Sequence, residues 1–187
     1  MITSDKPPVG YQTSSKERVS YAVYFFGQLT VFVIVTSYLQ IFLTDIAIPA
    51  TAVATIFLVA KVWDAINDPI MGIIINKIKF KKDKYKPWLR VSAYLIPVFT
   101  VALFAIPVSL PLAVKIALAG ILYVLWDMSY TLCDIPVFSV VTTMTNNIRE
   151  RNNLISYGRM FMFIGALAAG MLIPMLYPST DWFPAVA

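Results

Sequence analysis

The chain has no histidine and only one cysteine, Cys133, among its 187 residues. Without imidazole there is no His-based proton relay, no His-ligated zinc and no Ser-His or Cys-His nucleophile pair. A single thiol makes neither an intramolecular disulfide nor a thiolate metal cluster. Charge is scarce as well. Asp, Glu, Lys and Arg make up 13% of the chain, against ~25% in an ordinary soluble domain. Low-complexity tracts, internal repeats and a soluble domain are also lacking. The first twenty residues are polar, with no apolar leader core followed by a small-residue cleavage site, so the first apolar run reads as an uncleaved helix.

Apolar sequence fills the space that charge leaves. Hydrophobic residues account for 59% of the chain, and the mean hydropathy is +0.74. Five apolar runs approach the roughly 20 residues that cross a bilayer: about 21–44, 50–75, 88–108, 112–142 and 154–176. The expected fold is all-α and transmembrane, with a cytoplasmic tail over 1–19 and a bundle over 20–187. Ser14-Ser-Lys-Glu17 has the pattern of a capping box for the first helix. The links at 45–49 and 107–111 are short and proline-punctuated, as tight turns between antiparallel spans should be.

A net charge of +5 invites a nucleic-acid or anionic-lipid reading, but the placement of the charges argues for topogenesis. Lys6, Lys16 and Arg18 precede span 1, and Arg149 and Arg151 separate spans 4 and 5. Lys77, Lys79, Lys81, Lys82, Lys84, Lys86 and Arg90 crowd the link between spans 2 and 3, whereas Lys115 is alone near a membrane end on the other side. This asymmetry predicts a cytoplasmic N-terminus in a multi-pass protein of the cell (inner) membrane, with lipid as its surroundings and no nucleic-acid partner.

The acids in the middle of the spans carry the functional signal. An intramembrane carboxylate costs at least ~2.5–3.5 kcal/mol on insertion scales and is kept mainly where it lines an ion or substrate pathway. In span 2, Lys61, Asp64 and Asp68 recur at i, i+3 and i+7 and share one helix face, with Asn67 beside them and Pro69 following. At ~1.5 Å per residue from Ala50, Asp64 lies about 21 Å and Asp68 about 27 Å down the helix, at or below the midplane. Span 4 answers with Asp127, Thr131 and Asp134 on one stripe. Running in the same direction as span 2, span 4 brings Asp134 to a depth comparable with Asp68, so two carboxylates, an amide oxygen and a hydroxyl would converge to suit a desolvated monovalent cation, with Na⁺ at Asp64 and Asp68, or a proton. For Thr131, a hydroxyl bonded back to its own helix is the competing reading, as an ion pair that only joins helices is for Lys61 and Asp64.

Trp126, Tyr130 and Phe138 lie on or beside the acidic face of span 4, where rings next to carboxylates suit a pyranose. Arg159, one to two turns into span 5, is placed either to reach Asp134 or a ligand, or to snorkel to the interface.

Asp64-Ala-Ile-Asn67-Asp68-Pro69-Ile-Met-Gly72, Lys84-Tyr-Lys86-Pro87-Trp88 and Tyr130-Thr131-x-x-Asp134-Ile-Pro136-x-x-Ser139 resemble the glycoside–pentoside–hexuronide cation symporters. These belong to the major facilitator superfamily, and the resemblance runs from about Arg18 to about Gly170. It implies a twelve-helix carrier of two six-helix bundles that couples sugar uptake to Na⁺, Li⁺ or H⁺ by alternating access, with no other cofactor and no enzymatic activity. It also implies cation-site roles for Asp64, Asn67, Asp68 and Thr131, and sugar contacts for Asp134 and Arg159. Lys61 matches a basic position near the site, and Asp127 stands where the family has a glycine. Gln28 and Leu29 replace a Lys-Asp pair that contacts sugar in galactoside carriers. Phe138 replaces a tryptophan, and Asn76 an acid.

Five spans would then form the N-terminal part of such a carrier, holding the cation site and half of the sugar site and requiring a C-terminal helical bundle as partner. The alternative is a truncated or remnant membrane protein that transports nothing and has an assembly or regulatory role. An intramembrane aspartyl protease is disfavoured, since no Gly-x-Gly-Asp string is present and such enzymes need two acids sharing a proton across a water.

Overall fold

The computed structural model describes residues 12–78, 80 and 83–176; Lys6, Lys79, Lys81, Lys82 and the stretch 177–187 lie outside them. The described residues form α1 (Ser15–Asp45), α2 (Ala50–Lys77), α3 (Lys86–Phe104), α4 (Leu112–Ser139), the single turn α5 (Val141–Met144) and α6 (Ile148–Leu176), with no strand. The five long helices are each apolar and long enough to cross a membrane.

Helix boundaries differ from the apolar runs where capping chemistry decides. α1 begins six residues before the run at 21 because Ser14 and Glu17 close the capping box: the Ser14 amide donates to Glu17 Oε2 at 2.9 Å, and the Glu17 amide to Ser14 Oγ at 3.2 Å. α6 begins at Ile148 rather than 154, since Asn147 Oδ1 accepts from the Arg149 amide at 3.0 Å. α3 stops at Phe104, short of 108, just before Pro107. The run at 112–142 breaks after Ser139 into the separate turn α5. Between α1 and α2, Ala47 takes a left-handed φ of 64°, and the Ile48 amide reaches back to the Leu43 carbonyl at 3.0 Å. Lys115 Nζ donates to the Ile46 carbonyl at 2.6 Å, fixing the start of α4 to this turn.

Helix α1 lies along α6, and α4 packs against both α2 and α3. Buried apolar residues divide into two clusters. One, including Val35, Leu39, Ile56, Ala60, Leu103, Tyr123 and Trp126, fills the end near the prolines of the short turns. The other, Tyr21, Phe25, Val137, Val140, Val141 and Leu154, fills the basic end. On α1 the residue between them is Gln28, and on α4 the gap runs from Asp127 to Asp134. A polar layer is therefore held between two apolar plugs.

At the basic end, Glu150 is buried and accepts from the Gln12 amide (3.1 Å), the Thr13 amide (2.9 Å), Thr13 Oγ1 (2.5 Å) and Thr145 Oγ1 (2.6 Å). The segment ahead of α1 is thereby tied to the α4–α6 link. Glu150→Ala would strand those donors, and amide exchange at Gln12 and Thr13 should accelerate on the order of tenfold or more. Unchanged exchange there would show that the carboxylate does not hold this segment.

Candidate functional site

The site grows from an in-register seam between α2 and α4. Ile56 meets Gly120, where a Cβ would lie 3.9 Å from the isoleucine Cγ1. Phe57, the next residue of α2, packs edge-on against Tyr123, about a turn beyond Gly120 on α4, with ring centroids 4.9 Å apart. Continuing down both helices, Asp64 meets Asp127 and Asp68 meets Thr131. The matching positions rise together at helical spacing, so the two helices run parallel and deliver their polar residues in successive turns.

Lys61 Nζ pairs with Asp64 Oδ2 at 2.8 Å, and the lysine side chain is largely exposed. One turn further, Thr131 Oγ1 donates to Asp68 Oδ1 at 3.0 Å and accepts from Asn67 Nδ2 at 3.3 Å. The Asp127 carbonyl is a more distant acceptor for the same hydroxyl, at 3.3 Å. Both readings of Thr131 thus have a partner, and the cross-helix bond is the shorter. Pro69 lacks an N–H and leaves the Ala65 carbonyl without its usual helical donor, within a turn of both acids.

Asp134 is held from α1: Gln28 Nε2 donates to its Oδ1 at 3.1 Å, and Gln28 is buried. Arg159, by contrast, is exposed and forms no ion pair with Asp134. The reason lies in how α6 meets α1, through Leu154, Gly158 and Gly165; Arg159 follows Gly158 and points off that face.

The three aromatic candidates separate. Trp126 is fully buried, donates Nε1–H to Thr100 Oγ1 of α3 at 3.0 Å, and stacks between Tyr123 and Tyr130 at centroid distances of 5.9 and 5.5 Å. Tyr130 is half-buried and leans on Phe32 at 5.0 Å. Phe138 belongs to the basic-end cluster, edge-on to Phe25 at 5.3 Å.

Among the described residues, no three acids or cysteines converge as they would around a metal ion. The aspartates of α2 are one helical turn apart, about 6 Å of rise, and each engages a different residue of α4. Asp68, Asn67 and Thr131 form one cluster; Lys61, Asp64 and Asp127 form the next. Sequence reasoning missed a third: Tyr24 Oη lies 3.0 Å from Ser92 Oγ, donates to Cys133 Sγ at 3.2 Å, and so joins α1, α3 and α4 next to Asp134. A tyrosine and a serine inside apolar helices leave no local pattern that would have flagged them.

Five apolar helices around a layer of aspartates and amides define an all-helical, multi-pass membrane protein. The chain belongs to the MFS/sugar transport protein family, matching its profile over residues 20–180. This is a family of transporters, not of enzymes. Similar proteins include the inner membrane symporter YicJ of Escherichia coli, 34% identical over 87% of this chain and 35% of its own length. The isoprimeverose transporter of Lactiplantibacillus pentosus is 31% identical over 89% of the chain and 34% of its own length. A putative sulfoquinovose importer of Salmonella typhimurium is 31% identical over 88% and 35%. The chain spans about a third of the length of these relatives.

Proposed function

We propose that this chain supplies the N-terminal part of a sugar:cation symporter working by alternating access. The observation that carries the reading is the Asp68–Thr131–Asn67 cluster, in which an exposed carboxyl group is joined to a cross-helix hydroxyl and a buried amide partway along two apolar helices. Asp68 supplies a carboxyl group, and Thr131 and Asn67 supply further hard oxygen atoms, the donors a partly dehydrated Na⁺ or Li⁺, or a proton, requires, with Asp64 one turn away as a second acid. Among the described residues, the Thr131 hydroxyl donates to Asp68 and no basic side chain forms an ion pair with it.

Sugar recognition is assigned to the next turn. Asp134 accepts hydroxyl hydrogens, Gln28 orients it and offers an amide, and Tyr130 presents a ring edge with Trp126 stiffening it from behind. Phe138 and Arg159 stand toward the basic end, and Arg159, being unpaired with Asp134, is available to a ligand's oxygen atoms. Relatives named for isoprimeverose and sulfoquinovose support a sugar as the solute. The basic end faces the cytoplasm in this reading, the lipid bilayer covers the outer faces, and a second helical bundle closes the pathway.

Uptake of labelled glycosides into vesicles containing the complete carrier, with and without inward gradients of Na⁺, Li⁺ or H⁺, tests the proposal. Accumulation that needs one of these gradients is expected, and uptake indifferent to all three would refute coupling. Leu29, which cannot bond a hydroxyl, turns preference away from galactosides toward pentosides, glucosides or hexuronides. In competition assays melibiose should therefore bind at least about tenfold more weakly than the best ligand, the cost of one unmet polar contact.

A further inference from the structure

Between α2 and α4, in the half of the bundle away from the basic end, a groove of about 620 Å³ opens on the surface. Ala52, Thr55 and Val59 of α2 and Ala117, Gly120 and Ile121 of α4 line it, together with further apolar residues. Thr55 is the polar residue of the lining, and its hydroxyl donates to the Thr51 carbonyl of its own helix at 2.8 Å. The groove therefore offers an occupant hydrocarbon and no free donor.

Helical spacing fixes which way it faces. Ala52, Thr55 and Val59 each stand nine residues before Lys61, Asp64 and Asp68 respectively. Nine residues make about two and a half turns, so the groove wall and the charged stripe lie on opposite sides of α2. The charged side needs water or protein, because carboxylate and ammonium groups are costly against acyl chains. The groove side needs neither: Val62, Ile66, Ile70 and Ile73 continue its line down α2, and all four are exposed. It is continuous with an apolar face on a helix long enough to cross the membrane, the kind of face that the bilayer covers. A further helix is a poor occupant. Spans associate through hydrogen bonds or close backbone approach, since lipid tails are as apolar as the side chains they would give way to. The lining has no free donor, and its glycine is already faced by Ile56, whose Cγ1 would lie 3.9 Å from a Cβ at Gly120.

We infer that the α2–α4 groove seats an acyl chain of a bilayer phospholipid, from the leaflet away from the basic end. Its volume falls in the ~300–1,000 Å³ range of ligand-sized pockets. A flexible hydrocarbon chain fills such a trough by dispersion contact alone, without a polar partner. Seated there, it bridges the two helices over the stretch where Ile56 meets Gly120, on the side of the seam turned away from the charged stripe of α2. The inference rests on membrane residence and on the register of α2 against α4, and it stands whether or not sugar uptake follows a cation gradient.

The test uses phosphatidylcholine with a photoactivatable diazirine midway along one acyl chain. The chain is reconstituted with this lipid, extracted into mild detergent, washed and only then illuminated, so that retained lipid alone is captured; mass spectrometry of the peptides locates it. Label is expected on the groove residues of α2 and α4 and not on Val98 and Val101, which are exposed on α3. Ala117→Trp, a change at an exposed lining residue, should fill the groove and abolish the label there. Gly120→Ala, whose methyl meets only Ile56, should keep it. No retained label, label spread equally over α3, or label unchanged in Ala117→Trp would overturn the inference. Should Ala117→Trp not fold, the distribution in the unmodified chain decides. The same experiment on the complete carrier separates the other occupants. A groove labelled in the chain but protected in the carrier would give the site to another helix of that carrier. Protection in the chain itself, with Ala117→Cys forming disulfide-linked dimers, would give it to a second copy. Either result would overturn the lipid assignment.

Discussion

Replacing Asp68 by asparagine is expected to abolish cation-driven sugar accumulation while leaving insertion and helix content unchanged. The substitution keeps the shape of the side chain and retains an oxygen to accept from Thr131 Oγ1, now 3.0 Å from the acid. What it removes is charge. A carboxylate and a monovalent cation about 4 Å apart interact by ~4 kcal/mol at an effective dielectric constant near 20. Losing that term weakens cation affinity by roughly a thousandfold. Since Asp68 is an exposed residue of the bundle, packing loses almost nothing. Sugar should still exchange passively in a complete carrier, but accumulation against a gradient should vanish, and calorimetry should detect no Na⁺ or Li⁺ binding. If Asp68→Asn still concentrates sugar, the Asp68–Thr131–Asn67 cluster is not the cation site.

Much of this arrangement was legible in the chain because bilayer physics leaves few alternatives. Apolar runs of span length must be helices, since no other local structure satisfies the backbone in lipid. Residues at i, i+3, i+4 and i+7 share a helix face, so the stripes on α2 and α4 could be read from spacing alone. The Ser14–Glu17 box was readable because its partners are three residues apart. Partners across helices were not. That Gln28 rather than Arg159 would hold Asp134 depends on how α1 and α6 are rotated, which the spacing within either helix does not specify. That the four aspartates would divide between neighbouring turns follows from the register of α2 against α4, set by packing such as Ile56 on Gly120. Trp126 illustrates the same limit: it adjoins Asp127 in sequence, yet its indole N–H is taken by Thr100, 26 residues away.

The rotation of α6 rests on two glycines, and the largest loss of stability is expected at one of them. A Cβ at Gly165 would run into the Phe26 carbonyl oxygen of α1 and lie 2.7 Å from Thr30 Oγ1. That hydroxyl is already bonded to the same carbonyl at 2.7 Å, so neither neighbour can move aside without opening α1. Gly165→Leu must therefore push the two helices apart along the longest contact in the bundle, and should cost at least the ~1–3 kcal/mol typical of overpacking. Interhelical packing in lipid depends on such close approach, because apolar burial between spans gives little driving force. Gly158→Ala meets only the Phe25 ring, 2.9 Å from the new methyl, and a ring can turn, so its effect should be smaller. A Cβ at Gly170 meets nothing within 4 Å, which makes Gly170→Ala the control. Denaturant titrations in micelles should rank the variants with Gly170→Ala near the unmodified chain, Gly158→Ala below it and Gly165→Leu lowest. Gly165→Leu as stable as Gly170→Ala would mean that α6 does not meet α1 through this face, and the explanation for Arg159 standing away from Asp134 would fall with it.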